Sequence, residues 1–253
     1  EAPNAGSVSA YRIDPKTKQL QLVNHKQSFG MGPCHISTDH AGEFAFISNY
    51  GEGNFVMFVL LEDGSLGHSF DAQKYTGSSA HPKRQEKPHV HSSVVSADNK
   101  YVYVSDLGTD KIYIYKISAE DGKIIPAQQS FIQVAPGAGP RHFAFHPNGN
   151  FAYSAEELTS TVCAFTCNKA TGELTILQDT IQSLPHDFTG ENTSADIHID
   201  PKGKYLYMSN RGHNSLAIFA IQKDGRLKYI GYQAVKGKTP RNFIIDKHDE
   251  LLI

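Results

Sequence analysis

One short stretch of the chain, residues 137–157, carries side chains that could do proton-transfer and anion-binding chemistry. It reads GAGPRHFAFHPNGNFAYSAEE and places Arg141, His142 and Glu157 around an alternating apolar run and a turn. A histidine or a glutamate can move a proton near neutral pH, and an arginine can hold an anionic oxygen. Such chemistry requires a fold that brings the two ends of this stretch together.

The stretch is one copy of an internal repeat. Five segments share its beginning, and aligning them superimposes Cys34, His91, Arg141, Ala195 and Arg241. Four segments share its end, and aligning those superimposes Asn49, Asp106, Glu156 and Asn210. The offset between the first and the second position is 15 residues in all four copies. Insertions therefore fall between the copies and not inside them, as expected of a structural repeat.

Each copy also has the turn chemistry of a strand hairpin. Eight residues after the first position stand residues that tolerate a left-handed backbone, namely Gly42, Asn99, Gly149, Gly203 and Asp249. A third apolar run, a glycine-centred turn and a fourth run follow. Four short strands in a unit of about 50 residues are typical of a propeller blade. We therefore predict an all-β fold, a β-propeller of four-stranded blades.

The repeat also predicts the domain organisation and part of the core. The chain is expected to form a single propeller domain over 1–253, with about five blades represented and the rest of a larger ring lacking. The units are a half-blade at 1–30, whole blades at about 31–87, 88–137, 138–191 and 192–237, and a partial blade at 238–253. The aromatic residues of the third strands are expected between the blades, namely Tyr11, Phe58, Tyr115, Phe165 and Phe219.

Blade geometry predicts a site on one rim. Successive strands alternate in direction, so that the start of strand one and the end of strand two lie on the same rim, and Arg141 should meet Glu157. The two longest connections, 69–89 and 183–194, reach this rim as well. Long loops on one face of a rigid scaffold usually mark the functional face.

Two sets of residues should face this rim. The first strands contribute His35, His89, His91, Arg141, His142, Asp196 and Arg241, and the second strands contribute Asn49, Tyr50, Asp106, Glu156, Glu157, Asn210 and Arg211. Turn chemistry is the simpler explanation for Asn49, Asp106 and Asn210. Glu157 and Arg211 replace Tyr50 and Leu107 of the other copies, so the repeat itself does not demand charge there.

Composition argues against a nucleic acid or a membrane as the partner. The formal net charge is −2, from 24 basic and 26 acidic residues, which gives no electrostatic basis for either. No apolar run approaches the roughly 18 residues of a spanning helix. The three cysteines, Cys34, Cys163 and Cys167, lack a metal-type pairing and are expected to be reduced, in a cytoplasmic protein.

Nearly the whole chain resembles the seven-bladed β-propeller lactonase family of the 6-phosphogluconolactonase type. The resemblance is carried by HISTDHAGEFAFISNYGEGN, PHVHSSVVSADN, GAGPRHFAFHPNGNFAYSAEELTSTV and ADIHIDPKGKYLYMSNRGHNS. The chain is also similar in fold to 3-carboxy-cis,cis-muconate lactonising enzyme, which shares a His, Arg, Glu, Arg set at the channel mouth. Matched motif by motif, the resemblance implies catalytic roles for His91, Arg141, Glu157 and Arg211, with His89 as the alternative to His91.

The resemblance implies a carboxylic ester hydrolase of glucose metabolism, in the pentose phosphate pathway. The expected reaction is hydrolysis of 6-phospho-D-glucono-1,5-lactone to 6-phosphogluconate, with Glu157 or His91 as the base. Arg141 and Arg211 would hold the carbonyl oxygen and the phosphate. Further substrate-binding residues are expected at His35, His89, His142, His198, Asn210 and Arg241.

Three alternatives stay open at this point. No cofactor or metal is expected, but five histidines near one axis leave a metal site conceivable, namely His35, His89, His91, His142 and His198. A muconate-type lactonising cycloisomerase would use the same arginines on a different substrate. A non-catalytic, protein-binding propeller is the third alternative, although tryptophan and the WD dipeptide are absent. Composition gives no oligomeric state.

Overall fold

Antiparallel strands make up the regular structure of the chain. The computed structural model describes residues 6–70, 72–118 and 122–246, and these ranges contain strands and turns but no helix. The described part accordingly has no helix that is long and apolar enough to cross a membrane. The 19 strands of the described residues fall into five separate sheets.

The first two sheets differ in size. The first pairs two strands, β1 (Ser7–Ile13) and β2 (Leu20–Gln27). The second runs in the order β3 (Pro33–Thr38), β4 (Phe44–Asn49), β5 (Asn54–Leu60) and β6 (Leu66–Ser69). A two-residue strand, β7 (Gln73–Lys74), also pairs with β5.

The other three sheets each join four consecutive strands by hairpins, as in a propeller blade. The third sheet contains β8 (Val90–Val95), β9 (Tyr101–Asp106), β10 (Lys111–Ser118) and β11 (Lys123–Gln133). The fourth contains β12 (Pro140–Phe145), β13 (Phe151–Glu156), β14 (Thr161–Cys167) and β15 (Leu174–Gln182). The fifth contains β16 (Thr193–Ile199), β17 (Tyr205–Arg211), β18 (Ser215–Ile221) and β19 (Leu227–Ala234).

The first strand of each sheet lies against the first strand of the next. Strand β3 contacts β8, β8 contacts β12, and β12 contacts β16. The sheets are therefore arranged like blades around a common axis, and the predicted all-β propeller is confirmed. The outer limits of the domain stay a prediction, since residues 247–253, which include Asp249, lie outside the described residues.

The turn after each first strand has the predicted left-handed backbone. The φ angles of Gly42, Asn99, Gly149 and Gly203 lie between +61° and +73°. At the one non-glycine position, the side chain of Asn99 donates to Asp39 Oδ2 (2.8 Å) in the neighbouring sheet. The asparagine therefore links two blades in addition to forming the turn.

Large apolar side chains fill the space between the sheets. The aromatic residues predicted there are buried in four cases, namely Phe58, Tyr115, Phe165 and Phe219. The prediction is wrong for Tyr11, which is 53% exposed. A register shift separates Tyr11 from Ala10, and only the preceding part of β1, around Val8, packs into the core.

The second position of the repeat is buried in all four sheets that contain it, and its side chain mainly makes structural hydrogen bonds. Asn49 donates to Ser28 O and to Asn54 Oδ1, both at 2.8 Å. Asp106 accepts from the backbone N–H of His89 at 2.6 Å. Glu156 differs, because it receives one short hydrogen bond from the Ser154 hydroxyl while its Oε2 has no partner. Burial raises the pKa of Glu156 to about 8.

The raised pKa of Glu156 should make stability fall as pH rises from about 5 to 8. Over this range the unfolded chain, in which this carboxyl has its ordinary value of 4.5, releases a proton that the folded chain retains. Glu156→Gln removes this ionisation, so its unfolding free energy should decline less between pH 5 and pH 8. We expect a difference on the order of a few kcal/mol.

Chemical denaturation at the two pH values measures this effect. The exposed Glu62 provides the control variant, Glu62→Gln, which should keep the pH dependence of the wild type. An identical decline in the wild type and in Glu156→Gln would contradict the account.

Candidate active site

The two ends of the stretch 137–157 meet on one rim. Arg141 lies in β12, Glu157 follows β13 directly, and Arg141 Nε lies 2.9 Å from Glu157 Oε2. The strand register explains the placement, since Pro140 pairs with Glu156. The contact is an ion pair without hydrogen-bond alignment, because Arg141 Nε has no partner of hydrogen-bond geometry. Both side chains are buried, at 3% and 4% exposure.

Glu157 binds two further arginines. Arg211 Nη2 lies 3.0 Å from the same oxygen, Oε2, and Arg84 Nη2 lies 2.5 Å from Oε1. Burial acts to raise the pKa of Glu157, but the hydrogen bond from Arg84 and the charges of Arg211 and Arg141 outweigh it and hold the pKa below its ordinary value. Three guanidinium groups around one carboxylate leave an excess of positive charge.

Arg84 is not among the residues that the sequence predicted at this rim. This residue lies in the connection 69–89, which was predicted to reach the rim, and its Nη2 also donates to the hydroxyl of Tyr50 at 3.2 Å. Lys83 and Lys87 stand close by in sequence, but both are exposed. No sequence signal separates the arginine from these lysines, because the connection falls between copies of the repeat.

A buried glutamine holds Arg84 in place. The side chain of Gln85 is fully buried and donates to Leu107 O at 2.8 Å and to Asp110 Oδ1 at 2.6 Å. Asp110 also accepts a hydrogen bond from the hydroxyl of Ser79 at 2.5 Å. Hydrogen bonds from Ser79, before Arg84, and from Gln85, after it, thus attach the long connection to the turn between β9 and β10.

Three histidines from adjacent first strands lie beside these charges. The ring of His142 lies 5.4 Å from those of His35 and His91, edge to face in both cases. Burial lowers the pKa of all three, to about 3 for His35, and the charge of Arg141 lowers that of His91 further. The three imidazoles are therefore neutral at pH 7.

Asp196 orients one member of this cluster. Its Oδ1 lies 2.6 Å from His142 Nδ1, and its Oδ2 lies 3.0 Å from His198 Nε2 and accepts from Asn242 Nδ2 at 2.7 Å. Burial acts to raise the pKa of Asp196, but the hydrogen bonds from the two histidines lower it strongly. An ionised Asp196 fixes the proton of His142 on Nδ1, so that Nε2 accepts from Arg141 Nη1 at 3.2 Å.

The structure separates the two histidines of the PHVH motif. His91 has its ring edge against Tyr50 and faces His142. His89 instead stacks on the ring of Tyr50 at 4.4 Å, and its Nε2 lies 3.2 Å from Glu86 Oε1. His89 is therefore outside the histidine cluster, and His91 is the one within it.

Two other predicted substrate-binding residues, Asn210 and Arg241, lie outside the histidine cluster. Asn210 is fully buried, and its amide exchanges hydrogen bonds with Ser183 at 2.9 and 3.2 Å, which favours turn chemistry and a structural role. Arg241 is exposed near the site. Burial lowers the pKa of Arg141 to about 10 against the pull of Glu157, and the charges of Arg211 and Arg241 contribute to this.

The described residues contain no group of three or more His, Cys, Asp or Glu side chains placed to hold a metal ion. All three cysteines are free thiols. Arginines and neutral histidines are thus the groups that this rim offers for chemistry, and together they suit binding of an anion and transfer of a proton.

Known proteins resemble this chain along its length. A family model described as lactonase, 7-bladed beta-propeller, matches residues 1–253. The 6-phosphogluconolactonase of Bacillus subtilis is 38% identical over 255 residues, covering 100% of this chain and 71% of that protein.

Two solved structures are similar as well. A putative 6-phosphogluconolactonase from Bacteroides fragilis has a TM-score of 0.89 and 35% identity, covering 97% of this chain and 69% of the other. The periplasmic gluconolactonase of Pseudomonas aeruginosa has a TM-score of 0.92 and 32% identity, covering 100% of this chain and 70% of the other.

The lowered pKa values of the histidine cluster can be tested by NMR. The ring nitrogens of His35 and His91 should keep the chemical shifts of neutral imidazole from pH 8 down to about pH 5.5, whereas free histidine protonates near 6.5. His142 should protonate at a lower pH than free histidine. Single His→Asn variants assign the signals. Protonation of any of the three near its ordinary pKa would show that the cluster is less enclosed than described.

Proposed function

Because the chain belongs to the lactonase family of seven-bladed β-propellers, we propose that it hydrolyses 6-phospho-D-glucono-1,5-lactone to 6-phosphogluconate at this rim. The family and the enzyme class, a lactonase-type hydrolase, are as the sequence predicted. The identity of the lactone, the roles of the residues and a cytoplasmic location are parts of the proposal. The location is supported by the three free thiols, while one similar structure is described as periplasmic.

One observation carries the proposal, namely a single carboxylate shared by three arginines next to a cluster of neutral histidines. The ion pairs of Glu157 with Arg84, Arg141 and Arg211 span 2.5 to 3.0 Å and leave positive charge in excess. The phosphate group of a phosphorylated lactone is a dianion, and an oxyanion forms at the carbonyl oxygen during hydrolysis. Arginine suits both, because its planar fork forms charge-assisted hydrogen bonds.

Of the two bases that were predicted as alternatives, the geometry favours His91. Both oxygens of Glu157 are in ion pairs and its pKa is lowered, so it is a poor proton acceptor near pH 7. His91 is neutral and its Nδ1 has a distant contact, 3.9 Å from Cys34 Sγ. A neutral imidazole is ready to accept a proton without first losing one.

The proposed reaction has two steps. Water forms a bond to the lactone carbonyl carbon and gives a proton to His91, while Arg141 stabilises the oxyanion. The bond from this carbon to the ring oxygen then breaks, and the ring oxygen takes the proton from His91. Burial makes the intermediate imidazolium a strong acid, which assists this second transfer. The carboxylic acid product ionises and releases a proton to solvent.

Acid release from freshly prepared 6-phospho-D-glucono-1,5-lactone, corrected for the spontaneous rate, tests the proposal. We expect a clear enhancement by the wild type and a loss in kcat of about 100-fold or more in His91→Asn. The exposed Arg226, in the β18–β19 turn on the opposite rim, provides the control Arg226→Gln, which should keep full activity. No enhancement by the wild type would contradict the function, and an unchanged kcat in His91→Asn would contradict the assignment of the base.

A further inference from the structure

An open cleft lies immediately beside Glu157. It has a volume of about 490 Å³, and two of the arginines that bind Glu157 line it, Arg84 and Arg211. These two residues come from separate elements, the connection 69–89 and the end of β17. Thr193, at the start of β16, and Thr239 also line the cleft, so hydroxyl groups accompany the positive charges.

Each of the two arginines binds Glu157 through Nη2 and has Nη1 without a protein partner among the described residues. Arg84 binds Glu157 and Tyr50 through Nη2, and its side chain is 36% exposed. Arg211 binds Glu157 and Ser194 O through Nη2, and its Nε is buried without a hydrogen-bond partner. Nη1 of each guanidinium group has no hydrogen bond to another described residue and is therefore available to a ligand.

We infer that this cleft binds the phosphate group of the substrate and that Arg84 determines the preference for a phosphorylated lactone. The inference rests on the proposed function and assigns the phosphate to a place distinct from the lactone ring. Arg84 and Arg211 can both donate hydrogen bonds to phosphate oxygens, and such charge-assisted bonds are roughly twice as strong as neutral ones. Arg141, which is buried deeper, stays available to the carbonyl oxygen.

The position of Arg84 is set before any ligand arrives. Its neighbour Gln85 is anchored to Leu107 O and Asp110, so the connection does not have to order itself on binding. A preorganised donor loses little conformational entropy when the ligand binds, which leaves more of its interaction energy for affinity. The exposed Lys83 and Lys87 do not line the cleft, and Lys87 Nζ donates to Gly51 O at 2.7 Å.

One acidic residue opposes the anion and is useful as a probe. The carboxylate of Glu191 is exposed and lines the same cleft. Neutralising it should favour a dianionic ligand, whereas neutralising Arg84 should disfavour the same ligand. The two substitutions therefore change the preference for phosphate in opposite directions.

The test compares kcat/KM for D-glucono-1,5-lactone and for its 6-phosphate in each variant. Arg84→Gln keeps an N–H donor for Glu157 but lacks the charge, and we expect it to lower kcat/KM for the phosphorylated lactone by about 10- to 100-fold. Its effect on the unphosphorylated lactone should be at least tenfold smaller. Glu191→Gln should raise the preference for the phosphorylated lactone, and Arg226→Gln should leave the preference unchanged.

The outcomes separate the inference from the proposed function. Hydrolysis of neither lactone by the wild type would contradict the proposed function. Hydrolysis of both with equal losses in Arg84→Gln, or a wild-type preference for the unphosphorylated lactone, would overturn the inference and leave the function standing. Should Arg84→Gln fail to fold, inorganic phosphate serves as a competitive inhibitor of the wild type and of Arg84→Lys. Weaker inhibition of the lysine variant supports the subsite, and equal inhibition opposes it.

Discussion

The carboxylate of Glu157, shared by three guanidinium groups, is the interaction on which the rest of the site depends. A buried charge is costly unless it is paired, and removing one member of such a group leaves the others uncompensated. Here the partners come from three distant parts of the chain: the strand β12, the end of β17 and the connection 69–89. The same residue also holds β16, because its backbone oxygen accepts from Ser194 N at 3.1 Å. One side chain thus fixes the relative positions of every arginine that the proposed chemistry uses.

The arrangement of charge also sets the protonation of the histidines. After burial, the charge of Arg141 is the largest cause that lowers the pKa of His91, so the arginine that pairs with Glu157 keeps the neighbouring imidazole neutral. Asp196 opposes this at His142, but burial still lowers the pKa of His142 overall. Anion-binding groups that stay charged and proton-accepting groups that stay neutral can therefore coexist on one rim. Glu157 supports the charge of Arg141, and burial together with that charge keeps His91 neutral.

The repeat made the centre of this site predictable. The constant offset between its two positions implied a common rim for Arg141 and Glu157, and the φ angles of the turns agree with the residue types at the turn positions. Arg84 could not be predicted, because it lies in a connection between copies, where no register applies. Its position depends on hydrogen bonds from Gln85 to residues more than 20 positions away.

Two further differences have equally local causes. His89 and His91 are two positions apart and would face the same side of a sheet if both lay in one strand. Strand β8 begins at Val90, however, so His89 precedes the strand and stacks on Tyr50. Asn210 shares its place in the repeat with Asn49 and Asp106, and all three bind neighbouring backbone groups. The position of Asn210 in the repeat therefore predicted its structural role better than its position near the rim did.

The most direct measurement is the ionisation of Glu157 itself, followed by NMR with ¹³C-labelled glutamate carboxyl groups and assigned with Glu157→Gln. We predict that Glu157 stays ionised from pH 8 down to its ordinary value of 4.5 and below, since the arginines lower its pKa. The adjacent Glu156, with a pKa of about 8, should titrate in the same experiment and serves as an internal contrast. If Glu157 instead took up a proton between pH 6 and 7, as a general base tuned for catalysis would, its role as the shared partner of three arginines would be contradicted.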